Sequence, residues 1–251
     1  MMAVSVNHEG GSFIMDKKLV LEWIQNNNLK ELHEYLKKQN VVDIAEFLKE
    51  LDDSTLAIFF RVLEKEEAAN VFSYLENDER NRLIKTFNNT EIVNVINELY
   101  SDDAIDFLSD MPANLVTQLL DKVDDDVRKD INHLLKYKDD TAGSIMTVEF
   151  IEFTKEMSVA EALAKIKRVG IDSETVYTCY VVENRKLIGI VSAKSLMLSD
   201  SDVLIKDIMK TEFIYAYTSD DKEDIAKKMR KYGLIALPVL DVEDCIVGIV
   251  T

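Results

Sequence analysis

The sequence is poor in the residues that interrupt or cross-link a chain. Its 251 residues include two prolines, seven glycines and two cysteines, and no apolar run approaches the roughly 20 residues needed to cross a bilayer. Cys179 and Cys245 are far apart and form no CxxC pair, so we predict two reduced, buried thiols instead of a disulfide or a metal site. The three histidines are scattered and lack the spacing of zinc ligands. These absences predict a soluble polypeptide without a disulfide framework or a zinc centre.

Basic residues are also scarce relative to acids. Thirty Lys and Arg residues stand against 47 Asp and Glu residues, which gives a formal net charge of −17. Such a charge repels nucleic acid and anionic lipid surfaces and attracts metal ions or basic partners, so we expect no nucleic-acid partner. The sequence has no nucleophile and base constellation, no phosphate-binding glycine loop and no histidine metal set. We therefore do not expect an enzyme.

The stretch from Asp16 to Lys138 contains no glycine and a single proline, and it repeats every twelve residues. Three columns of this spacing, beginning at Phe47, Leu48 and Leu51, are apolar at nearly every step. Their positions in each unit form one face of a short helix. Helices this short are marginal alone in water, so each must be held by its neighbours. We predict an all-helical superhelical (solenoid-like) domain over residues 16–138, preceded by a flexible leader at residues 1–15.

A polar column with the same period predicts where the helices begin. It consists mostly of N-cap residue types, namely Ser54, Glu66, Asp78, Thr90, Asp102, Asn114 and Asp126. Capping and the helix dipole are then a sufficient explanation for Asp102 and for Asp103 in the first turn. Asp106 has no such explanation, because its column is otherwise an exposed polar face. Together with Asp110 it carries the remaining evidence for a cation site in the segment 100–110, where the alternative is a solvated helix face.

The second half of the sequence changes in character and duplicates itself. Five of the seven glycines lie there, among strand-like runs bounded by turns. Ile145-Met146-Thr147 recurs as Ile208-Met209-Lys210, and each copy continues with a strand, an amphipathic helix and a strand pair. The strand pairs end in GIVS at Gly189–Ser192 and in GIVT at Gly248–Thr251.

This duplicated pattern resembles a tandem of CBS domains, a βαββα module, over Thr141 to Thr251. The resemblance implies an α + α/β protein in which the helical domain is followed by CBS domain 1 at residues 139–202 and CBS domain 2 at residues 203–251. Members of this family can bind adenine nucleotides through an Asp three residues after the Ser or Thr of GIV(S/T). Ser195 stands at that position here, which argues for a scaffold and against a nucleotide site. The second copy is truncated before its last helix, so we expect further polypeptide beyond Thr251.

The combination of a short-helix superhelix and a CBS pair, joined through TAGSIMT at Thr141–Thr147, is similar to the cytosolic part of MgtE-type magnesium transporters. The resemblance implies a magnesium-sensing and gating region at the cytoplasmic face of the membrane. It also implies a homodimer held through the CBS domains and a transmembrane pore domain C-terminal to Thr251. Mg²⁺ is the implied ligand, which would bridge acidic surfaces of the helical and CBS domains and close the pore. Clustered acids suit such a sensor, because Mg²⁺ binds carboxylates while keeping several of its waters.

The resemblance also assigns metal-binding roles to particular acids. Asp102 and Asp106, with Asp103 beside them, match acidic positions of the family's helical domain. Asp221 and Glu223 match acids at the start of the second CBS helix. For this second pair, negative charge at a helix N-terminus is an equally good explanation.

Two positions depart from the family pattern. Asn70 stands where the resemblance implies a glutamate, and Gly233 stands where it implies a second carboxylate of the CBS domain. An amide oxygen can still bind a cation, whereas Gly233 offers only its carbonyl oxygen. The number of ions is therefore left open.

Two other classes of function remain as alternatives. One is a soluble regulatory protein whose CBS pair responds to adenine nucleotides and whose helical domain binds a protein, against which Ser195 counts. The other is an interaction scaffold, since short-helix arrays also occur in flagellar motor switch proteins. A scaffold, however, has no evident need for a CBS pair.

Overall fold

The computed structural model describes residues 15–109 and 111–251. Residues 1–14 of the predicted leader lie outside the described residues, and so does Asp110. The described residues divide into two units. The first comprises the residues up to Leu99 and those from Phe107 to Asp125, and the second comprises Tyr100–Asp106 and Asp126–Thr251.

Within the described residues, the repeat region forms ten short helices, as the twelve-residue pattern predicts. They are α1 Lys17–Gln25, α2 Leu29–Leu36, α3 Val41–Leu48, α4 Asp53–Val62, α5 Lys65–Ser73, α6 Asn77–Thr86, α7 Asn89–Glu98, α8 Ser101–Ser109, α9 Ala113–Leu120 and α10 Asp125–Leu134. Alternate helices pack together, such as α3 with α5 and α4 with α6, so each repeat is stabilised by its neighbours. Every member of the column that begins at Phe47 is buried. Leu135, at the end of the Leu51 column, is 47% exposed.

The N-cap residues lie two positions before the predicted cap column. The observed N-cap residues are Asp16, Asn28, Asn40, Asp52, Glu64, Glu76, Asn88 and, before α9, Pro112. Asp52 Oδ1, for example, accepts hydrogen bonds from the backbone N–H groups of Ser54 at 3.1 Å and Thr55 at 3.0 Å. Both columns contain cap-type residues, and an apolar face does not by itself fix the first residue of a helix. The prediction that Asp102 is an N-cap is therefore wrong, since α8 begins at Ser101 and Asp102 lies in its first turn.

Polar side chains connect the repeats at a constant offset. Lys37 and Lys49, the C-cap residues of α2 and α3, pair with the N-cap carboxylates of Glu64 and Glu76 at 2.6 Å and 2.5 Å. Asn97 continues this register, because its Oδ1 accepts a hydrogen bond at 3.1 Å from the backbone N–H of Asp124, 27 residues later. These lysines explain why glutamate, which is not among the preferred N-cap residues, is found before α5 and α6.

The second unit contains two sheets of three strands with the same topology. Their strands are β1 Glu152–Phe153, β2 Thr178–Glu183 and β3 Lys186–Ser192 in one sheet, and β4 Ala216–Tyr217, β5 Leu237–Leu240 and β6 Ile246–Val250 in the other. In each sheet the first strand runs parallel to the second, and the second runs antiparallel to the third. The helices are α11 Ala142–Ile145, α12 Val159–Val169, α13 Ala193–Leu198, α14 Ile205–Ile208 and α15 Lys222–Tyr232. This repeated architecture confirms the predicted CBS pair.

The last residue of each IM(T/K) motif pairs with a strand of the other copy. Thr147 of the first copy pairs with Ile249 of the second, and Lys210 of the second copy pairs with Ile190 of the first. Each pair is joined by two backbone hydrogen bonds of 2.9 Å. The two copies that the sequence duplicates therefore pair reciprocally in the structure.

The glycines of the two GIV motifs make this reciprocal pairing possible. A Cβ atom on Gly248 would lie 2.6 Å from Met146 Sδ and 2.8 Å from the carbonyl oxygen of Thr147. A Cβ atom on Gly189 would lie 2.9 Å from Met209 Sδ. Only glycine leaves room for the methionine of the opposite copy.

The cysteines agree with the sequence-based expectation. Cys179 and Cys245 are both free and buried. Burial raises the pKa of Cys179 to about 12, which disfavours the reactive thiolate. In the part of the chain that the structure describes, no helix is both long enough and apolar enough to cross a bilayer.

Candidate functional site

The first turn of α8 presents two acids beside a nearly buried serine. Ser101 is 3% exposed, and Asp102 and Asp103, the next two residues, are half-buried. Asp106, one turn further along the helix, is exposed. The structure therefore distinguishes among the three acids of α8 that were predicted to bind metal.

The surroundings of Asp102 are unfavourable for a charged carboxylate. Its Oδ1 atom is buried and, among the described residues, finds no hydrogen-bond partner. Burial, followed by the negative charges of Asp103, Glu174 and Glu149, raises the pKa of Asp102 to about 7. A carboxylate held in this way is stabilised by any cation that can reach it.

Glu174 and Asp130 share this environment. Burial raises the pKa of Glu174, against the hydrogen bond that Thr251 Oγ1 donates to its Oε1 at 3.1 Å, and the charges of Asp103 and Glu149 add to the rise. Burial also raises the pKa of Asp130, followed by the charges of Glu149 and Asp126. We call Asp102, Asp103, Glu149 and Glu174 the α8 acid cluster.

Sequence reasoning missed Glu149 and Glu174 as members of this cluster. Glu149 follows the TAGSIMT junction, and Glu174 follows the end of α12. The residues around them do not resemble a part of α8. The position of Glu149, two residues after the junction motif, was the one available signal. Only the folding of the second unit brings these carboxylates near Asp102.

The α8 acid cluster suits a hydrated cation better than a tightly enclosed one. Across the described residues, no group of three or more His, Cys, Asp or Glu side chains has the geometry to hold a metal ion directly. Mg²⁺ is commonly bound by one or two carboxylates and retains several waters. The buried, unpartnered oxygen of Asp102 beside further negative charge is compatible with that mode of binding.

Asp221 and Glu223 lie in a different environment. Asp221 is the N-cap of α15, and its Oδ1 accepts a hydrogen bond from the Glu223 backbone N–H at 2.8 Å. Both side chains are exposed. Next to them, Lys222 forms an ion pair with Asp140. Helix capping accounts for Asp221 and helix N-terminal charge for Glu223, and a role of either residue in metal binding stays a prediction.

The two departures from the family pattern have different structural settings. Asn70 lies exposed on α5. Gly233 has φ of 62°, in the left-handed region, and is the C-cap of α15. Glycine adopts this conformation without strain, so the end of α15 provides a reason for the missing carboxylate.

Ser195 is engaged at the start of α13. Ser192 is the N-cap of this helix, and its Oγ accepts a hydrogen bond from the Ser195 backbone N–H at 3.0 Å. The two hydroxyl oxygens are 2.8 Å apart. Ser195 therefore has a structural role in the position where the CBS family can carry a ribose-binding Asp.

Fold and site together define a class of protein, in which a short-helix repeat domain is followed in the chain by a CBS pair and the second unit carries a cluster of acids. The profile of the MgtE intracellular N domain matches residues 39–140, and the CBS domain profile matches residues 142–202 and 205–251. A crystal structure of the soluble part of a magnesium transporter is 30% identical, has a TM-score of 0.88 and covers 93% of each chain. A structure of the cytosolic domain of the Mg²⁺ channel MgtE in complex with ATP is 31% identical, with a TM-score of 0.85, and covers 92% of this chain and 95% of that one.

Curated relatives point the same way. The magnesium transporter MgtE of Enterococcus faecalis is 40% identical over 49% of this chain and 27% of its own length. The magnesium transporter MgtE of Thermus thermophilus is 36% identical over 53% of this chain and 30% of its own length. The chain thus spans about a third or less of the curated relatives it matches. It belongs to the MgtE family of magnesium transporters and matches the part that combines the intracellular N domain with the CBS pair.

Proposed function

We propose that this chain is the magnesium-sensing and gating region, at the cytoplasmic face of the membrane, of a transporter whose pore domain follows Thr251. The observation that carries the proposal is the buried and unpartnered Oδ1 of Asp102 among the carboxylates of the α8 acid cluster. Family membership supports Mg²⁺ as the ion.

The mechanism follows from the repulsion within the cluster. Two carboxylates about 4 Å apart repel by about 1 kcal/mol in water and by more where water is partly excluded. Without Mg²⁺ this repulsion disfavours the arrangement that brings the acids together. Bound Mg²⁺ offsets the repulsion and shifts the population toward the closed form, to the extent that it binds that form more tightly.

The proposal is tested by following limited proteolysis with trypsin at the exposed Lys138, with millimolar Mg²⁺ and with chelator. Mg²⁺ should slow the cleavage and compact the protein in X-ray scattering. Asp102→Ala should weaken both effects. Asp78→Ala is the matched control, because Asp78 occupies the corresponding position two helices earlier and is exposed. Coincident scattering profiles with Mg²⁺ and with chelator would refute the sensing role.

Exposed apolar side chains on the first CBS copy support a homodimer. Ile171, Tyr177, Met197 and Leu198 are between 64% and 78% exposed. Tyr177 lies beside α13, because its carbonyl oxygen accepts a hydrogen bond from the Ala193 N–H at 2.9 Å. A second copy would bury such side chains. Sedimentation of wild type against a Met197→Glu and Leu198→Glu double variant tests this, and a dimer in both would place the interface elsewhere.

A second candidate, a CBS pair that responds to adenine nucleotides, is favoured by the ATP complex of a similar chain. The engagement of Ser195 with Ser192 counts against it. Calorimetric titration with ATP and with AMP distinguishes the two possibilities. Heat of binding that disappears in a Ser195→Ala variant would support nucleotide recognition at this position.

A further inference from the structure

Glu149 makes an unusual set of hydrogen bonds within the second unit. Its Oε2 accepts from Ser101 Oγ at 2.8 Å, from the Ser101 backbone N–H at 3.4 Å and from the Val148 backbone N–H at 3.1 Å. The hydroxyl of Thr147 also donates to this oxygen. Four donors, from the start of α8, from the last residue of the TAGSIMT junction and from the residue after it, therefore converge on one carboxylate oxygen.

The helical repeat explains why α8 needs this carboxylate. In the repeat register, the residue before each helix is its N-cap, such as Asp52 before α4 or Asn88 before α7. The corresponding residue before α8 is Tyr100, whose ring cannot accept hydrogen bonds from the first turn. The first N–H groups of a helix have no partner within the helix, and Glu149 supplies an acceptor to Ser101 from a distant segment.

The two hydroxyl groups make this contact specific. Ser101 is 3% exposed and Thr147 is fully buried, so each hydroxyl must find a partner inside the protein. Hydrogen bonds to a charged acceptor are stronger than neutral ones. The backbone of Glu149 also takes part, since its carbonyl oxygen accepts from the Glu174 N–H at 2.9 Å.

We propose that Glu149 is the positioning residue of the α8 acid cluster. Its side chain fixes Ser101, and with it the adjacent Asp102, while its backbone fixes Glu174. This inference rests on the proposed magnesium-sensing function, and it predicts that the affinity for Mg²⁺ depends on the hydrogen bonds that Glu149 accepts.

The test measures the Mg²⁺ midpoint of protection from trypsin and, separately, the melting temperature in chelator, for the full 251-residue chain. Glu149→Gln and Ser101→Ala should each raise the Mg²⁺ midpoint at least fivefold at temperatures well below their melting points. The double variant should raise the midpoint little further than either single variant, because both substitutions remove the same interaction. Ser101→Thr, which keeps the hydroxyl, should restore a midpoint within twofold of wild type. Glu152→Gln, the same substitution three residues later, is the matched control and should also stay within twofold.

Three results would overturn the inference. A lower melting temperature in Glu149→Gln with a midpoint within twofold of wild type would reduce the residue to a structural role. Additive effects of Ser101→Ala and Glu149→Gln would show that the two act separately. If Mg²⁺ does not protect the wild-type chain from trypsin, the sensing function fails and this inference fails with it. If Mg²⁺ protects the wild-type chain and the midpoint of Glu149→Gln is unchanged, only this inference fails. Should Glu149→Gln not fold, Ser101→Ala decides.

Discussion

The starts of α8 and α15 are alike in sequence and different in physics. Both place acids in the first turn of a helix, and both were predicted to bind metal. Asp221 is exposed, and the Glu223 backbone N–H donates to it. Asp102 has a buried oxygen without a donor in the described structure, and burial, followed by the charges of neighbouring carboxylates, raises its pKa to about 7. An acidic residue at a helix start can thus stabilise the fold or act against it, and the surroundings decide which.

The largest expected effect is a gain of stability on neutralising Asp102. In chelator at pH 8, Asp102→Asn should raise the free energy of unfolding by on the order of 2 kcal/mol, because it removes a buried charge and its repulsion, less the small benefit of an acid near the helix N-terminus. Urea denaturation measures the change. Asp78→Asn, at the matching exposed position, should stay within about 0.5 kcal/mol of wild type. A loss of stability in Asp102→Asn would contradict the contrast between the two helix starts.

The gain should depend on pH in a defined direction. The pKa of Asp102 in the folded protein, about 7, lies above that of an unfolded Asp, so the folded state holds the proton more tightly between these values. Stability from this group is therefore present at about pH 4 and is lost as the pH rises through 7. The difference between wild type and Asp102→Asn should shrink as the pH falls from 8 to 5 in parallel urea titrations. A difference that is constant over this range would rule out ionisation of Asp102 as its cause.

At the start of α15 the opposite sign is expected. Asp221→Ala should lower the free energy of unfolding by about 1 kcal/mol, since it removes the N-cap acceptor. Asp221→Asn should change it by only a few tenths of a kcal/mol, because Asn caps helices as well as Asp does. Thermal and urea unfolding of the three proteins measure both values. If Asn were as harmful as Ala, charge and not capping would be the role of Asp221.

The smallest expected effect concerns the other end of α15. Gly233→Ala should lower the stability by about 0.5 to 1 kcal/mol, because its φ of 62° suits glycine and strains other residues. No atom lies within 4 Å of an added Cβ, so a steric clash would not contribute. Gly233→Asn should lose less, since Asn tolerates this conformation better. Equal stability of all three proteins would remove the backbone explanation for the glycine.

Much of the fold follows from the sequence because the repeats are local. A twelve-residue period of apolar positions defines the buried face of each helix, and the column from Phe47 is buried throughout. The start of each helix was less certain, because Asp52 and Ser54 are both good cap residues. Which of two cap residues is used depends on side chains from other repeats, such as Lys37 and Lys49.

The candidate site was less predictable than the fold. Asp102 was identified by resemblance and assigned to capping, whereas Glu149 and Glu174 were not recognised at all. Their negative charges act on Asp102 only after residues distant in sequence have been brought together. A pKa depends on burial and on neighbouring charges, and neither is a property of a short segment.

The sequence by itself determined the repeat period and the duplication of the CBS copies with their recurring IM(T/K) and GIV(S/T) motifs, since each is recorded in local residue patterns. Only the tertiary structure decided that Met146 packs against Gly248 and Met209 against Gly189 across the two copies. It also decided that Glu149, from a distant segment, accepts hydrogen bonds from the first residue of α8. Burial and hydrogen bonding between distant segments are properties of the folded chain, and they give the carboxylate of Asp102 surroundings that its local sequence does not reveal.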